Sequence, residues 1–308
     1  MTGRGAILVV DIGGTGVKFG AIRDGVHLPR TRQVPTAELR RGDPVANLAR
    51  LAGSVGAELG ITPDAIVATV PGFLDPDHDL VRFAGNLPEL NGRRVASELR
   101  ALTGVPVMLE RDAVLTLVGE WAAGAGRGVG NLLGLFFGTG VGGAFLQDGR
   151  PFRGSGFALE IGNMPFRGEG RTLSGLRTDC LEAYVSGRVL QAIAGRHDVA
   201  IGEVFVRAAA DPRLAAEIDA FLTDQAIAVG IAFSLFSPDA VVLGGGICAM
   251  AGFPLERLRQ LVGIHSTTRE MGVALDLRPA RLGWEAVLHG AARVAAGRDG
   301  VVGEGGGG

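Results

Sequence analysis

Asp11-Ile12-Gly13-Gly14-Thr15-Gly16 and Gly138-Thr139-Gly140-Val141-Gly142-Gly143 are the two stretches whose reading decides the fold. Each follows a short apolar run: Ala6-Ile7-Leu8-Val9-Val10, then Leu132-Leu133-Gly134-Leu135-Phe136-Phe137. Each leads into a further strand-like run, Val17-Lys18-Phe19-Gly20-Ala21-Ile22 and Ala144-Phe145-Leu146. An apolar run, a glycine-rich break and a second apolar run predict a β-hairpin, one in each half of the chain. Glycine lets backbone N–H groups come close to a phosphate, and threonine adds a hydroxyl donor. One such hairpin is compatible with an ordinary tight turn. Two, the first opened by Asp11, point to a nucleotide held between two related lobes.

Outward from the hairpins, helix and strand signals alternate. Residues 45–59 have helical spacing, 65–70 read as a buried strand ended by Pro71-Gly72, 90–102 as a helix, 105–109 as a strand and 113–123 as a helix. After the second hairpin the chain turns largely helical, at 181–193, 202–210 and 214–236. A buried strand at 240–243 runs into Gly244-Gly245-Gly246, a strand is expected at 273–278, and a last helix at 285–296. This succession implies an α/β fold with two lobes and a cleft between them. Sequence identity between the halves is confined to the turns.

The 308 residues, 47% apolar and 20% charged, suit a soluble globular protein with room for two cores. A formal net charge of −2 offers no general attraction to nucleic acid or to an anionic membrane. Two cysteines, Cys180 and Cys248, cannot build a disulfide framework, so a reducing, cytoplasmic setting is expected. The N-terminal apolar run meets Asp11 too soon for a signal peptide, and the apolar stretch 226–236 is too short to span a bilayer. The glycine-only end reads as part of a disordered tail, 301–308.

In order along the chain stand Asp11-Ile-Gly-Gly-Thr15, Pro71-Gly72, Asn86-Leu-Pro88, Asp112, Gly138-Thr-Gly-Val-Gly-Gly143, Glu160-Ile-Gly162, Cys180-Leu-Glu182 and Asp239-Ala-Val-Val-Leu-Gly-Gly-Gly246. As an ordered set covering nearly the whole chain, they resemble the repressor–open reading frame–kinase (ROK) family of sugar kinases. The resemblance implies an α/β, two-lobed actin/hexokinase-like (ribonuclease H-like) fold with an interlobe cleft. It also implies a small N-terminal domain, 1–115, joined by a C-terminal helix at about 286–300, and a large domain, 116–285. Within the family, Leu109-Glu-Arg-Asp112, Leu235-Phe-Ser-Pro-Asp-Ala240 and Phe253-Pro-Leu-Glu-Arg257 are similar to the allose kinase branch.

A hexose hydroxyl is a poor nucleophile, so transfer of the γ-phosphate of ATP to it benefits from a carboxylate that accepts its proton. By the resemblance that carboxylate is Asp112; on position alone it could equally cap the helix that follows. Asp11 would hold magnesium, directly or through water. Gly13, Gly14, Thr15, Gly138, Thr139 and Gly140 would contact phosphates, and Gly244, Gly245 and Gly246 would form the adenosine-side loop. Lys18, the only lysine, lies on the outgoing strand and reads as merely exposed. Sugar recognition would fall to Asn86, Asp112, Glu160, Asn163 and Glu182. Arg111 has three readings: a ligand for a sugar hydroxyl, a partner for a carboxylate, or a side chain in solvent.

The chain departs from the family's pattern at Arg111, where most members have asparagine, and at the position of a zinc site. Most of the family resembled carries a structural zinc held by one histidine and three cysteines. Here Asn163 stands at the histidine position, Leu173 and Gly175 replace two cysteines, and only Cys180 remains. One thiolate cannot make a tetrahedral site, so no structural zinc is expected. The resulting expectation is an ATP- and magnesium-dependent kinase acting on the 6-hydroxyl of a hexose, D-allose among the candidates, and forming a homodimer. A glucokinase or N-acylhexosamine kinase is the alternative within the family. A sugar-binding pseudokinase or regulator without turnover is a further alternative. A DNA-binding repressor is not expected, because the first strand begins near Ala6 and no basic patch is present.

Overall fold

The structure, a computed structural model, describes residues 5–173, 177–268 and 270–298. The expected tail and Gly175 lie outside those residues. In chain order come β1 (Ala6–Ile12), β2 (Gly16–Arg23), β3 (Val26–His27), β4 (Arg32–Pro35), α1 (Pro44–Glu58), β5 (Ala65–Thr69), β6 (Phe73–Leu74), β7 (Val81–Phe83), α2 (Val95–Thr103), β8 (Val107–Glu110) and α3 (Asp112–Ala123). Then follow β9 (Asn131–Phe137), β10 (Val141–Gln147), β11 (Arg150–Pro151), α4 (Glu182–Val185), α5 (Gly187–Arg196), α6 (Val204–Ala208), α7 (Pro212–Phe236), β12 (Ala240–Gly244), α8 (Leu255–His265), β13 (Leu277–Pro279) and α9 (Trp284–Arg298). The chain forms two compact units, one drawn from Met1–Ala123, Arg153–Ala158 and Trp284–Gly308, the other from Gly124–Phe152 and Leu159–Gly283.

In the first unit the sheet runs β3-β2-β1-β5-β8, with β4 also paired to β2. The β1–β2 pair is the antiparallel hairpin the sequence predicts, while β5 and β8 add to it in parallel. Both faces of this sheet are covered, which is why β5 reads as a continuous apolar run. Successive residues of β1 divide between the faces. Leu8, Val10 and Ile12 pack with Val45, Leu48 and Leu51 of α1, and Val9 packs with Leu115 of α3 and Leu288 of α9. Helix α1 starts cleanly because the Asp43 carboxylate accepts the Ala46 N–H at 2.7 Å and Pro44 opens the first turn. Helices α3 and α9 meet at two glycines. A Cβ on Gly119 would overlap the Ala286 carbonyl, and one on Gly290 would overlap the Leu115 carbonyl.

The second unit repeats the plan. Its sheet runs β11-β10-β9-β12-β13, an antiparallel β9–β10 hairpin extended by parallel β12 and β13. Phe221, Leu222 and Val229 of α7 pack against Leu258, Leu261 and Val262 of α8 and against the sheet. Among the described residues α7 is the one helix long and apolar enough to cross a membrane, and most of that stretch is buried in this core. It is longer than the apolar segment weighed from sequence, because the segment before Asp224 belongs to the same helix.

Several predicted elements change. The helix expected at 90–102 starts only at Val95, because Gly92 takes a left-handed turn (φ 76°) after a single 3-10 turn at Pro88–Leu90. The helix expected at 181–193 breaks at Ser186, which is extended (φ −85°, ψ 166°). The helix expected at 202–210 is a 3-10 turn followed by α6. The strand expected at 273–278 shrinks to Leu277–Pro279.

Candidate functional site

The first glycine turn closes with Gly13 N–H donating to the Gly16 carbonyl at 2.9 Å. Neither Gly13 nor Gly14 has a left-handed backbone, so the turn does not need glycine for its φ angles. What glycine supplies is a bare surface, with Thr15 and Gly14 exposed. Thr36, buried, pins the turn: its hydroxyl donates to the Gly13 carbonyl at 2.7 Å, and its N–H donates to the Thr15 carbonyl at 3.1 Å. The Asn86 side chain lies against Gly14, and the Arg40 guanidinium donates to the Asn86 carbonyl at 2.6 Å.

Asp11 leads into this turn at the end of β1. The Thr69 hydroxyl donates to Asp11 Oδ1 at 2.6 Å while Thr69 Oγ1 accepts the Ile12 N–H at 3.0 Å. Burial raises the Asp11 pKa above its ordinary 3.8, the Thr69 hydrogen bond lowers it, the neighbouring Asp112 carboxylate raises it again, and Lys18 lowers it. Two carboxylates thus share one neighbourhood, with Lys18 as a nearby positive charge. Lys18 is not merely exposed. It is half-buried, with its ammonium 4.6 Å from the centre of the Trp284 ring.

Asp112 is the first residue of α3 and is exposed between buried Arg111 and Ala113. Its Oδ1 accepts the N–H of the very next residue, Ala113, at 2.7 Å. A helix cap would instead reach two or three residues on. Arg111 is 3% exposed, and its guanidinium donates to the Ala158 carbonyl. That removes solvent from the three readings of this residue.

In the second unit Gly138 N–H donates to the Gly140 carbonyl at 2.9 Å to close the β9–β10 turn. Glu182, expected on the sugar, places Oε2 on the Val141 N–H at 2.9 Å, against the same turn. The Gly138 carbonyl accepts the N–H of Gly187 at 2.7 Å, which is why the helix breaks at Ser186 and restarts as α5 beside the turn. After β12, Gly245 is left-handed (φ 91°), and a Cβ there would strike the Phe137 carbonyl; Ile247 N–H donates to that carbonyl at 3.0 Å. The strand end and the turn therefore lie together. They open on a pocket of about 490 Å³ lined by Gly138, Thr139 and Gly246 together with Arg188, Gln191, Ile201, Ile247 and Met250. Gly244 ends β12, and a Cβ there would stand 2.7 Å from the Phe136 ring.

Glu160 precedes and Asn163 ends a 3-10 turn, Ile161–Asn163, with Asn163 Nδ2 3.4 Å from Glu160 Oε2. Leu159, directly before them, is left-handed (φ 61°), a strained state for leucine. The described part of the loop that follows is held by hydrogen bonds and ion pairs. The Asp179 carboxylate accepts N–H bonds from Gly170 (2.9 Å) and Arg171 (2.8 Å) and the Tyr184 hydroxyl at 2.6 Å. Burial and Asp179 push the Tyr184 hydroxyl up to about 12. Arg167 pairs with Asp224 and Glu169. Cys180 is buried in the core, and the described residues contain no group of three His, Cys, Asp or Glu able to hold a metal. The donor set does not fit zinc.

Sequence reading missed Thr36, Thr69, Arg188 and Gln191. Thr69 alone left a trace, as the one polar residue in an apolar strand. The other three come from distant segments that only packing brings to the turns.

The ROK family profile matches residues 7–298. The N-acetyl-D-glucosamine kinase of Vibrio parahaemolyticus is 31% identical over 77% of this chain and 83% of that protein. The beta-glucoside kinase of Klebsiella pneumoniae is 32% identical over 82% of this chain and 86% of that protein. A ROK family glucokinase from Streptomyces griseus, solved in complex with glucose and AMPPNP, matches with a TM-score of 0.79 at 26% identity, covering 94% of this chain and 99% of that one.

Proposed function

The chain belongs to the ROK family and is a carbohydrate kinase, and we propose that it transfers the γ-phosphoryl group of ATP to the 6-hydroxyl of a hexose. The observation that carries this reading is the Asp11–Asp112 neighbourhood beside a bare glycine turn. Asp112 accepts the proton of the attacking hydroxyl, since its carboxylate is exposed and does not serve as an ordinary cap. Asp11, whose pKa burial and Asp112 both push upward, suits a site that receives a divalent cation. Magnesium brought with ATP would sit against Asp11 and neutralise phosphate charge; two carboxylates at most fit the few protein ligands this ion takes. Gly13, Gly14 and Thr15 in the first unit present backbone N–H groups and a hydroxyl to phosphate, as do Gly138, Thr139 and Gly140 in the second. The pocket beside Gly246 takes the adenosine, its base against Ile201, Ile247 and Met250.

Asn86, Glu160 and Asn163 read the sugar hydroxyls. Glu182, which accepts the Val141 N–H and so supports the second turn, joins them on the sugar side. D-allose is the acceptor favoured by the Leu109-Glu-Arg-Asp112 segment. Glucose, N-acetyl-D-glucosamine and β-glucosides are the acceptors that the names of the similar proteins bring forward.

A coupled ADP-release assay over this panel tests the reading, and turnover of at least one hexose is expected. Asp112→Asn should lower kcat by about 10²–10⁴-fold with an unchanged circular dichroism spectrum. If no sugar stimulates ADP release while calorimetry still detects sugar binding, the chain is a sugar-binding protein without turnover.

A further inference from the structure

Glu110 ends β8, two residues before Asp112, yet its side chain is only 2% exposed. A carboxylate buried at a strand end is strongly unfavourable unless it is paired and hydrogen-bonded. Here each of its oxygens has a distinct partner. Oε2 accepts two bonds from the Arg153 guanidinium, from Nε at 3.1 Å and from Nη2 at 2.6 Å. Oε1 accepts the backbone N–H of Arg111 at 3.0 Å. His78 faces the same group, with Nδ1 3.6 Å from Oε1 and 2.9 Å from the Leu109 carbonyl.

Arg153 opens a segment, Arg153–Ala158, that belongs to the first unit although the chain on either side belongs to the second. Its far end is bound as well, because the Arg111 guanidinium donates to the Ala158 carbonyl. Its middle rests on β6. Gly156 (φ 108°) lies so near that a Cβ would stand 2.6 Å from the Leu74 carbonyl, and the Phe157 ring packs edge-on against Phe73 at 6.1 Å. Both ends of the segment are therefore fastened to the two residues that precede Asp112.

We propose that Arg153 is a positioning residue for phosphoryl transfer. Through Glu110 it sets the backbone that carries Asp112, and the Arg111–Ala158 bond closes the clasp. The planar fork matters. Two N–H groups on Oε2 fix the rotation of the Glu110 carboxylate and leave Oε1 aimed at the Arg111 amide, whereas an ammonium would supply charge without that orientation. The proposal rests on Asp112 being the general base.

The test is steady-state kinetics of the full chain with its best hexose, alongside hydrogen exchange without ligands. Arg153→Ala is expected to lower kcat about 10–100-fold, the range a small misplacement of a catalytic group produces, with the hexose KM changed less than about threefold. Arg153→Lys is expected to recover part of kcat, and Glu110→Gln, which keeps the acceptor for the Arg111 amide, to lose less than Arg153→Ala. Exchange in peptides covering 107–115 and 153–158 should accelerate in Arg153→Ala, while α1 stays unchanged. An unchanged kcat, or a rise in KM alone, overturns the proposal; so does a kcat that lysine restores in full, because charge without the planar fork would then suffice. If the unmodified protein turns over no hexose, the kinase reading fails first. The clasp is then judged by exchange alone, and unaltered exchange in those peptides refutes it.

Discussion

Asp11 is half-buried and has Asp112 as a neighbour, an arrangement that favours chemistry over stability. Its raised pKa means the folded protein holds this proton more tightly than the unfolded chain does. The corresponding stability is fully present below the ordinary value of 3.8 and is lost as pH rises through the raised value. At neutral pH the ionised Asp11 therefore works against folding. Asp11→Asn, which still accepts the Thr69 hydroxyl, should melt at a higher temperature than the unmodified protein at neutral pH without ligands, and the gain should vanish in acid. The same variant should lose ATP-dependent turnover. A lower melting temperature at neutral pH would contradict the electrostatic account. Asp11 was legible in the sequence as a carboxylate closing an apolar run, whereas Asp112 was singled out only by the family resemblance, since on position alone it could equally cap α3. Thr36 and Lys18 were not legible, since the turn they support and the ring they meet are formed by other segments.

At the level of elements, α3 and α9 approach so closely that each presents a glycine to the other's backbone. Gly119→Ala places a methyl group where the Ala286 carbonyl stands, so the helices must part. A loss of about 3 kcal/mol, at the upper end of ordinary overpacking, is expected from urea denaturation. The loop between Met164 and Cys180 makes the opposite point. Its described residues are held by the Asp179 carboxylate, the Tyr184 hydroxyl and the Arg167 ion pairs, where the resemblance implies zinc in most of the family. Chelator treatment should leave the melting temperature unchanged, and elemental analysis of untagged protein should find well under one zinc per chain. About one zinc per chain would overturn this reading. The restart of the helix at Gly187 belongs here too. Helical spacing runs straight through Ser186, and only the bond from Gly187 to the Gly138 carbonyl breaks it.

For the whole molecule, the repeated plan of a hairpin extended by a parallel strand gives each unit its own sheet and core. The pocket at the second turn belongs to one unit alone. A non-hydrolysable ATP analogue without sugar should therefore slow hydrogen exchange at 138–141, 187–191 and 246–250. Unchanged exchange at all three would remove the adenosine assignment.

The sequence by itself determined the two hairpins, the alternation that makes an α/β fold, the Asp11 carboxylate and the family, because period-2 burial and glycine punctuation act over a few neighbouring residues. Tertiary structure alone decided that Arg111 is buried, that Glu182 braces a turn, that Arg153 reaches Glu110, and that α5 begins where it does. Those outcomes depend on which distant backbone carbonyl, carboxylate or N–H is left to be satisfied once the core has closed, and no local pattern encodes that.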